Sequence, residues 1–120
     1  IILITHDMGA IAEMADRVAV MYAGRIIESG SVADILEPAR HPYTQGLISC
    51  VPHLVADPPV DRPTLMEIPG VVPPLTDLGK GCAFEPRCAK RRARCQMEKP
   101  RSRETRPNHF SACWAVEAEA

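Results

Sequence analysis

Aromatic side chains are scarce in this 120-residue chain: two Phe, two Tyr and one Trp make up 4% of it. No apolar run approaches the roughly 20 residues that a membrane-spanning helix needs. No basic, apolar, small-residue leader opens the sequence. These absences point away from an integral membrane or Sec-exported protein. A net charge of -1 gives no global push towards nucleic acid or an anionic membrane. An initiator Met is also missing. The chain opens Ile1-Ile2-Leu3-Ile4, deep in apolar sequence, as if taken from something longer.

Proline is absent from residues 1–37, and all 12 prolines lie from Pro38 onward. Interior proline removes a backbone donor and clashes with the preceding turn, so a regular first third should precede a loop-rich remainder. Charge is split as well. Residues 80–106 hold ten of the fourteen basic residues against three acids, so +7 there is offset by −8 elsewhere. With 46% hydrophobic residues, the length suits one modest domain that buries roughly two-thirds of its unfolded surface.

Ile1–Thr5 is a continuous, mostly β-branched run that suits a strand buried on both faces of a parallel sheet. Its sheet neighbours would then be missing or supplied by a partner. Asp7 can cap a following helix in which Met8, Ile11, Ala12 and Ala15 form one apolar face. Arg17–Ala23 and Arg25–Ser29 read as strands of a hairpin turning at Ala23-Gly24. Ser31 and Asp34 have capping-box spacing for a short helix over Val32–Leu36, with Pro38 ending it. A further helix is expected over Gln45–Val51, with Pro42 near its start. Residues 51–78 carry Pro58-Pro59 and Pro73-Pro74 and read as extended chain, with one short strand possible around Leu65–Ile68.

Two places could carry chemistry. His6 lies one residue beyond the expected strand, where ligands bind in open α/β sheets; a capping or loop histidine is the plainer reading. The second is Cys82, Cys88, Cys95 and Cys113, spaced C-x5-C-x6-C-x17-C. A disulfide framework suits an exported protein, and structural zinc usually uses tighter C-x2–4-C spacing. Iron–sulfur clusters accept more varied spacing among four thiolates. Arg87, Lys90, Arg91, Arg92 and Arg94 would offset the negative charge of such a centre. Cys50, in an apolar setting, reads as a small buried hydrophobe. His109 is a possible spare ligand. The basic run lacks the interleaved aromatics that stack bases.

Leu3-Ile4-Thr5-His6-Asp7 followed by Ala15-Asp16-Arg17-Val18-Ala19-Val20-Met21-Tyr22-Ala23-Gly24-Arg25 resembles the end of an ABC transporter ATPase domain. His41-Pro42-Tyr43-Thr44, Ile68-Pro69-Gly70-Val71-Val72-Pro73 and Gly81-Cys82-Ala83-Phe84-Glu85-Pro86-Arg87-Cys88 narrow the resemblance. Together they resemble the ATP-binding subunits of oligopeptide/dipeptide ABC importers, over about residues 1–115. The resemblance implies an α/β fold: the C-terminal end of a P-loop ABC ATPase domain, then a small irregular Cys-rich subdomain. Residues 1–37 would supply the switch-histidine strand, helix and hairpin. Residues 38–120 would be the family's C-terminal extension, with a four-Cys metal region over 81–114.

By the same resemblance, His6 is the switch histidine at the ATP γ-phosphate, and Cys82, Cys88, Cys95 and Cys113 hold a 4Fe–4S cluster, with zinc as the alternative. Lys80 stands before Gly81 where the family often has proline. ATP and Mg²⁺ would belong to the intact parent. Its partners would be a second ATP-binding subunit, transmembrane permease subunits and, indirectly, a peptide-binding protein, with no nucleic acid. Its place would be the cytoplasmic face of the plasma (inner) membrane. The sequence carries no G-x-x-x-x-G-K-[ST] phosphate loop, whose backbone donors and Lys cradle a nucleotide, and no Walker B or signature motif. Hydrolysis by this chain alone is therefore not expected. The rival from another class is a free-standing four-cysteine metal-binding module that recognises nucleic acid or protein.

Overall fold

A computed structural model of the chain describes residues 1–36, 39–49, 68 and 70–116. Among the described residues the α-helices are α1 (Met8–Met14), α2 (Val32–Leu36), α3 (Pro42–Ser49) and α4 (Ala93–Met97). The strands are β1 (Arg17–Tyr22), β2 (Arg25–Ser31), β3 (Arg103–Arg106) and β4 (His109–Ser111). They form one sheet in the order β1-β2-β4-β3, antiparallel at every junction. No helix among the described residues is long and apolar enough to cross a membrane.

The hairpin forms where its sequence demands. Ala23 and Gly24 both take positive φ, 49° and 78°, the paired left-handed geometry whose twist matches that of the flanking strands. β1 alternates outward and inward, burying Val18, Val20 and Tyr22. In β2, Ile27 is an extra residue between the Val20–Glu28 and Met21–Ile26 pairs. This bulge sets Glu28 and Gly30 inward, as one inserted residue resets the pleat.

Helix entry follows the expected caps. Asp7 Oδ1 accepts from the Gly9 and Ala10 N–H groups at 2.9 and 3.3 Å. Ser31 Oγ accepts from the Asp34 N–H at 3.1 Å and donates to Asp34 Oδ2 at 2.7 Å. α3 starts at Pro42, one residue type that loses nothing at a first helical position. Its side-chain cap is His41, whose Nδ1 accepts from the Tyr43 N–H at 3.0 Å. Ile11, Ala15, Ile27, Val32, Tyr43 and Leu47 pack around Val18, Val20 and Ile35. Of the expected α1 stripe, Ile11 and Ala15 reach this core while Ala12 stays exposed.

One expectation is corrected. Ile1–Thr5 is not a strand, and Ile1, Ile2, Leu3 and Ile4 are exposed. No strand among the described residues pairs with it, so its backbone groups have no ladder and its side chains no second layer. The β1–β2 pair is the antiparallel hairpin expected of it; β3 and β4 are joined by a second tight turn, which only antiparallel pairing permits, while β2 and β4 meet across a long connection. The expected strand near Leu65–Ile68, the end of α2 at Pro38, and Cys50 and His53 lie outside the described residues, except for Ile68.

Candidate functional site

Behind the cysteines lies a buried polar knot. Glu28 Oε1 accepts from the Arg40 N–H at 2.6 Å and lies 2.7 Å from His109 Nε2; Glu28 Oε2 accepts from the His41 N–H at 3.0 Å. One carboxylate thus ties β2 to β4 and to the turn that starts α3. A buried carboxylate is tolerated only when its oxygens are satisfied in this way. Burial lowers the His41 pKa to about 4, against the opposing pull of Glu28 and the Ala112 backbone. His41 is therefore neutral near pH 7.

Next to the knot, Tyr22, Tyr43 and Phe84 form an aromatic cluster with ring centroids 4.7–5.3 Å apart. Arg87 stands 6.0 Å from the Tyr22 and Phe84 rings and donates to Tyr22 Oη at 3.4 Å and to the Ile68 carbonyl at 3.3 Å. Phe84 is two residues beyond Cys82 and Arg87 is one before Cys88. The first cysteine loop is therefore anchored through an aromatic plug, which compensates for its lack of regular structure.

The other cysteines reach the region from different elements. Cys95 is buried on α4, and Cys113 follows β4. The Cys82 N–H donates to the Cys95 carbonyl at 2.7 Å. Gly81 makes this approach possible, since any Cβ there would overlap the Cys95 and Gln96 carbonyl oxygens. All four thiols are free of disulfides.

Burial pushes the Cys82, Cys88 and Cys113 thiols up, and neighbouring cysteines push the same way: Cys95 and Cys88 on Cys82, Cys95 on Cys88, Cys82 and Cys88 on Cys113. Each of these three thiols thus lies near at least one other cysteine. Backbone N–H groups oppose the rise, from Phe84 and Glu85 at Cys82, Lys90 at Cys88, and Ala115 and Val116 at Cys113. The Arg92 N–H donates to Cys95 Sγ at 3.4 Å.

Donors aimed at sulfur favour thiolates, the form that binds metal. In that respect the donor set fits a thiolate-held centre. Its arrangement does not close on one: no group of three or more His, Cys, Asp or Glu among the described residues is placed to hold a metal ion.

The basic residues expected to offset a cluster divide their work. Lys90 favours the Cys88 thiolate, and its Nζ donates to Gln45 Oε1 at 3.1 Å. Arg94 lies 3.5 Å over the Trp114 ring and bonds Glu98 at 3.2 Å, while Arg87 belongs to the aromatic plug. His109 is the partner of Glu28 rather than a spare ligand.

His6 is exposed just before α1, and its side chain makes no hydrogen bond or ion pair among the described residues. Sequence reasoning missed the Glu28–His41–His109 knot. Its one advance signal was a charged residue on the buried hairpin, at a position that only the bulge turns inward.

Residues 27–95 match the family model described as the oligopeptide/dipeptide transporter, C-terminal region. The chain belongs to this family. It is 43% identical over 114 residues to a putative peptide import ATP-binding protein of Brucella ovis, covering 93% of this chain and 34% of that protein. It is 42% identical over 119 residues to a probable D,D-dipeptide transport ATP-binding protein of Escherichia coli, covering 99% and 35%. An oligopeptide transport ATP-binding protein of Mycobacterium tuberculosis is 42% identical over 117 residues, covering 98% and 19%. The chain spans about a third of the length of the first two relatives. Within this oligopeptide/dipeptide transporter region, the matched residues include Glu28, the aromatic pair Tyr43 and Phe84, and Cys82, Cys88 and Cys95 of the four-cysteine set.

Proposed function

We propose that this chain is part of the ATP-binding subunit of a peptide importer, in which ATP binding and hydrolysis drive uptake of peptides or dipeptides. The observation that carries this reading is the near-complete coverage of the chain by three relatives named for peptide or dipeptide transport. His6 takes the role of the switch histidine, contacting the γ-phosphate of Mg²⁺-ATP and orienting the attacking water. Its exposure at the start of α1 leaves it open to such a ligand. Phosphoryl transfer depends on positioning and charge stabilisation, so one imidazole at that point is a sufficient contribution.

Cys82, Cys88, Cys95 and Cys113 are the residues that would hold a 4Fe–4S cluster, with zinc as the alternative. Such a centre would supply cross-linking to a segment that has little regular structure. The subunit works with a second ATP-binding subunit and with permease subunits, at the cytoplasmic face of the membrane. The peptide-binding protein acts through those permeases.

The test uses the full-length subunit with its permeases in proteoliposomes. His6→Ala should cut ATP hydrolysis and peptide uptake on the order of 100-fold or more, with ATP affinity nearly unchanged because the lost interaction belongs to the transition state. Unchanged turnover would remove the switch role from His6. Peptide-independent turnover together with failure to support uptake would remove the importer reading.

A further inference from the structure

We propose that the cleft between the tip of the β1–β2 hairpin and residues 99–102 binds a small free amphiphilic anion, an apolar body carrying one carboxylate or phosphate. The cleft does not include His6, borders the cysteine region at Cys82 and the knot at His41, and has a volume of about 770 Å³, within the roughly 300–1,000 Å³ typical of organic ligand sites. The inference rests on this cleft and not on the transporter reading.

The walls are chemically divided. Met21, Ile26, Leu78, Phe84 and Ala112 give it an apolar floor, and Met21 and Ile26 remain exposed there. Arg25, Lys99 and Arg101 are the charged groups among its described lining residues, and all three are cations. None of the three is hydrogen-bonded or ion-paired among the described residues. Two arginines elsewhere in the fold are, by contrast, engaged: Arg94 by Glu98 and Trp114, and Arg87 by Tyr22. The cleft therefore offers uncommitted positive charge above uncovered apolar surface.

That pairing selects the ligand. A hydrophilic anion such as inorganic phosphate would gain from the rim and nothing from the floor. An uncharged amphiphile would cover the floor but leave three cations without a counter-charge. An anion with an apolar body satisfies both, adding burial of apolar surface to charge-assisted hydrogen bonds from Arg and Lys. Nucleic acid is a poorer fit. Phe84 already packs on Tyr22 and Tyr43, so the cleft lacks a free stacking platform.

Titration calorimetry on the full chain, with decanoate and decyl phosphate below their micelle thresholds, tests this directly. One molecule per chain is expected, with decyl glucoside and inorganic phosphate each at least about tenfold weaker. Combining Arg25→Gln, Lys99→Gln and Arg101→Gln should weaken decanoate binding by at least about tenfold. The melting temperature should hardly move, since unpaired surface charges contribute little to stability. Ile26→Glu, at an exposed position, should abolish binding by placing a carboxylate on the floor. The proposal is overturned if decyl glucoside binds as tightly as decanoate, or if the triple variant binds decanoate like the parent. It is equally overturned if anionic vesicles bind while the free amphiphiles do not, because a bilayer surface, not the cleft, would then be the partner.

Discussion

His109 Nε2 lies 2.7 Å from Glu28 Oε1, with both side chains at 0% exposure. The contact spans 81 residues of sequence and joins the hairpin to the strand that follows the cysteine-rich section. Glu28 also accepts two backbone N–H groups from residues 40 and 41, so losing His109 leaves a buried carboxylate short of one partner. His109→Ala should destabilise the chain by about 1–3 kcal/mol, the cost of leaving a buried hydrogen-bonding group without its partner. Urea denaturation measures it. A loss under about 1 kcal/mol would show that the contact is peripheral to stability.

Gly81 gives a second, more local prediction. Gly81→Ala forces a methyl group into the Cys95 and Gln96 carbonyl oxygens, which belong to backbone and cannot swing aside. The Cys82–Cys95 backbone bond should break, and α4 should separate from the first cysteine loop. Amide exchange at Cys82 and across residues 93–97 should accelerate by at least about tenfold, equivalent to about 1.4 kcal/mol of local opening. The β1–β2 hairpin should keep its protection. Unchanged exchange at Cys82 would contradict this packing.

Local signals and long-range pairing differed sharply in how far they could be read. Asp7, Ser31 with Asp34, Ala23-Gly24 and Pro42 each act within a few residues, and each produced the cap or turn expected of it. The pairing of β2 with β4 leaves no such trace, because β4 is three residues long and its register comes from Glu28, His109 and the bulge at Ile27. The apolar run at Ile1–Thr5 forms no strand here for the related reason that a strand exists only with a neighbour, and none of the described strands pairs with it. At the candidate site, the cysteines were legible as a set from their number and spacing. The aromatic plug was not, since Tyr22, Tyr43 and Phe84 are far apart in sequence and meet only in the fold.

His41 sets a pH dependence. Burial lowers its pKa from 6.5 to about 4 in the folded chain, while the unfolded chain titrates near 6.5. Below 6.5 the unfolded state takes up a proton that the folded state refuses, so stability falls with falling pH until about 4. Above 6.5 both forms are neutral and the contribution is constant. The shift corresponds to about 3 kcal/mol across that window. Urea midpoints at about pH 7.5 and about pH 4.5 should separate clearly for the parent and much less for His41→Gln. Equal separations in both would place the titrating group elsewhere.

The cysteine assignment is tested by what the protein carries when purified without oxygen. A 4Fe–4S centre would bring iron and sulfide to roughly four each per chain, with the brown colour general to such clusters. Cys82→Ser, Cys88→Ser, Cys95→Ser and Cys113→Ser should each lose it, because a hydroxyl is a hard, weak substitute for a soft thiolate. Cys50→Ser should not. Burial and neighbouring cysteines hold the Cys82, Cys88 and Cys113 thiols up, so a metal must displace their protons, and occupancy should fall as pH is lowered. Chelating the metal should loosen residues 81–98, where α4 and the turns around it have little core of their own, while the knot at Glu28 holds the sheet. Stoichiometric zinc without iron or sulfide would overturn the cluster and keep the four ligands. A chain free of both metals, with four reactive thiols and unaltered stability in the Ser variants, would remove the metal site altogether.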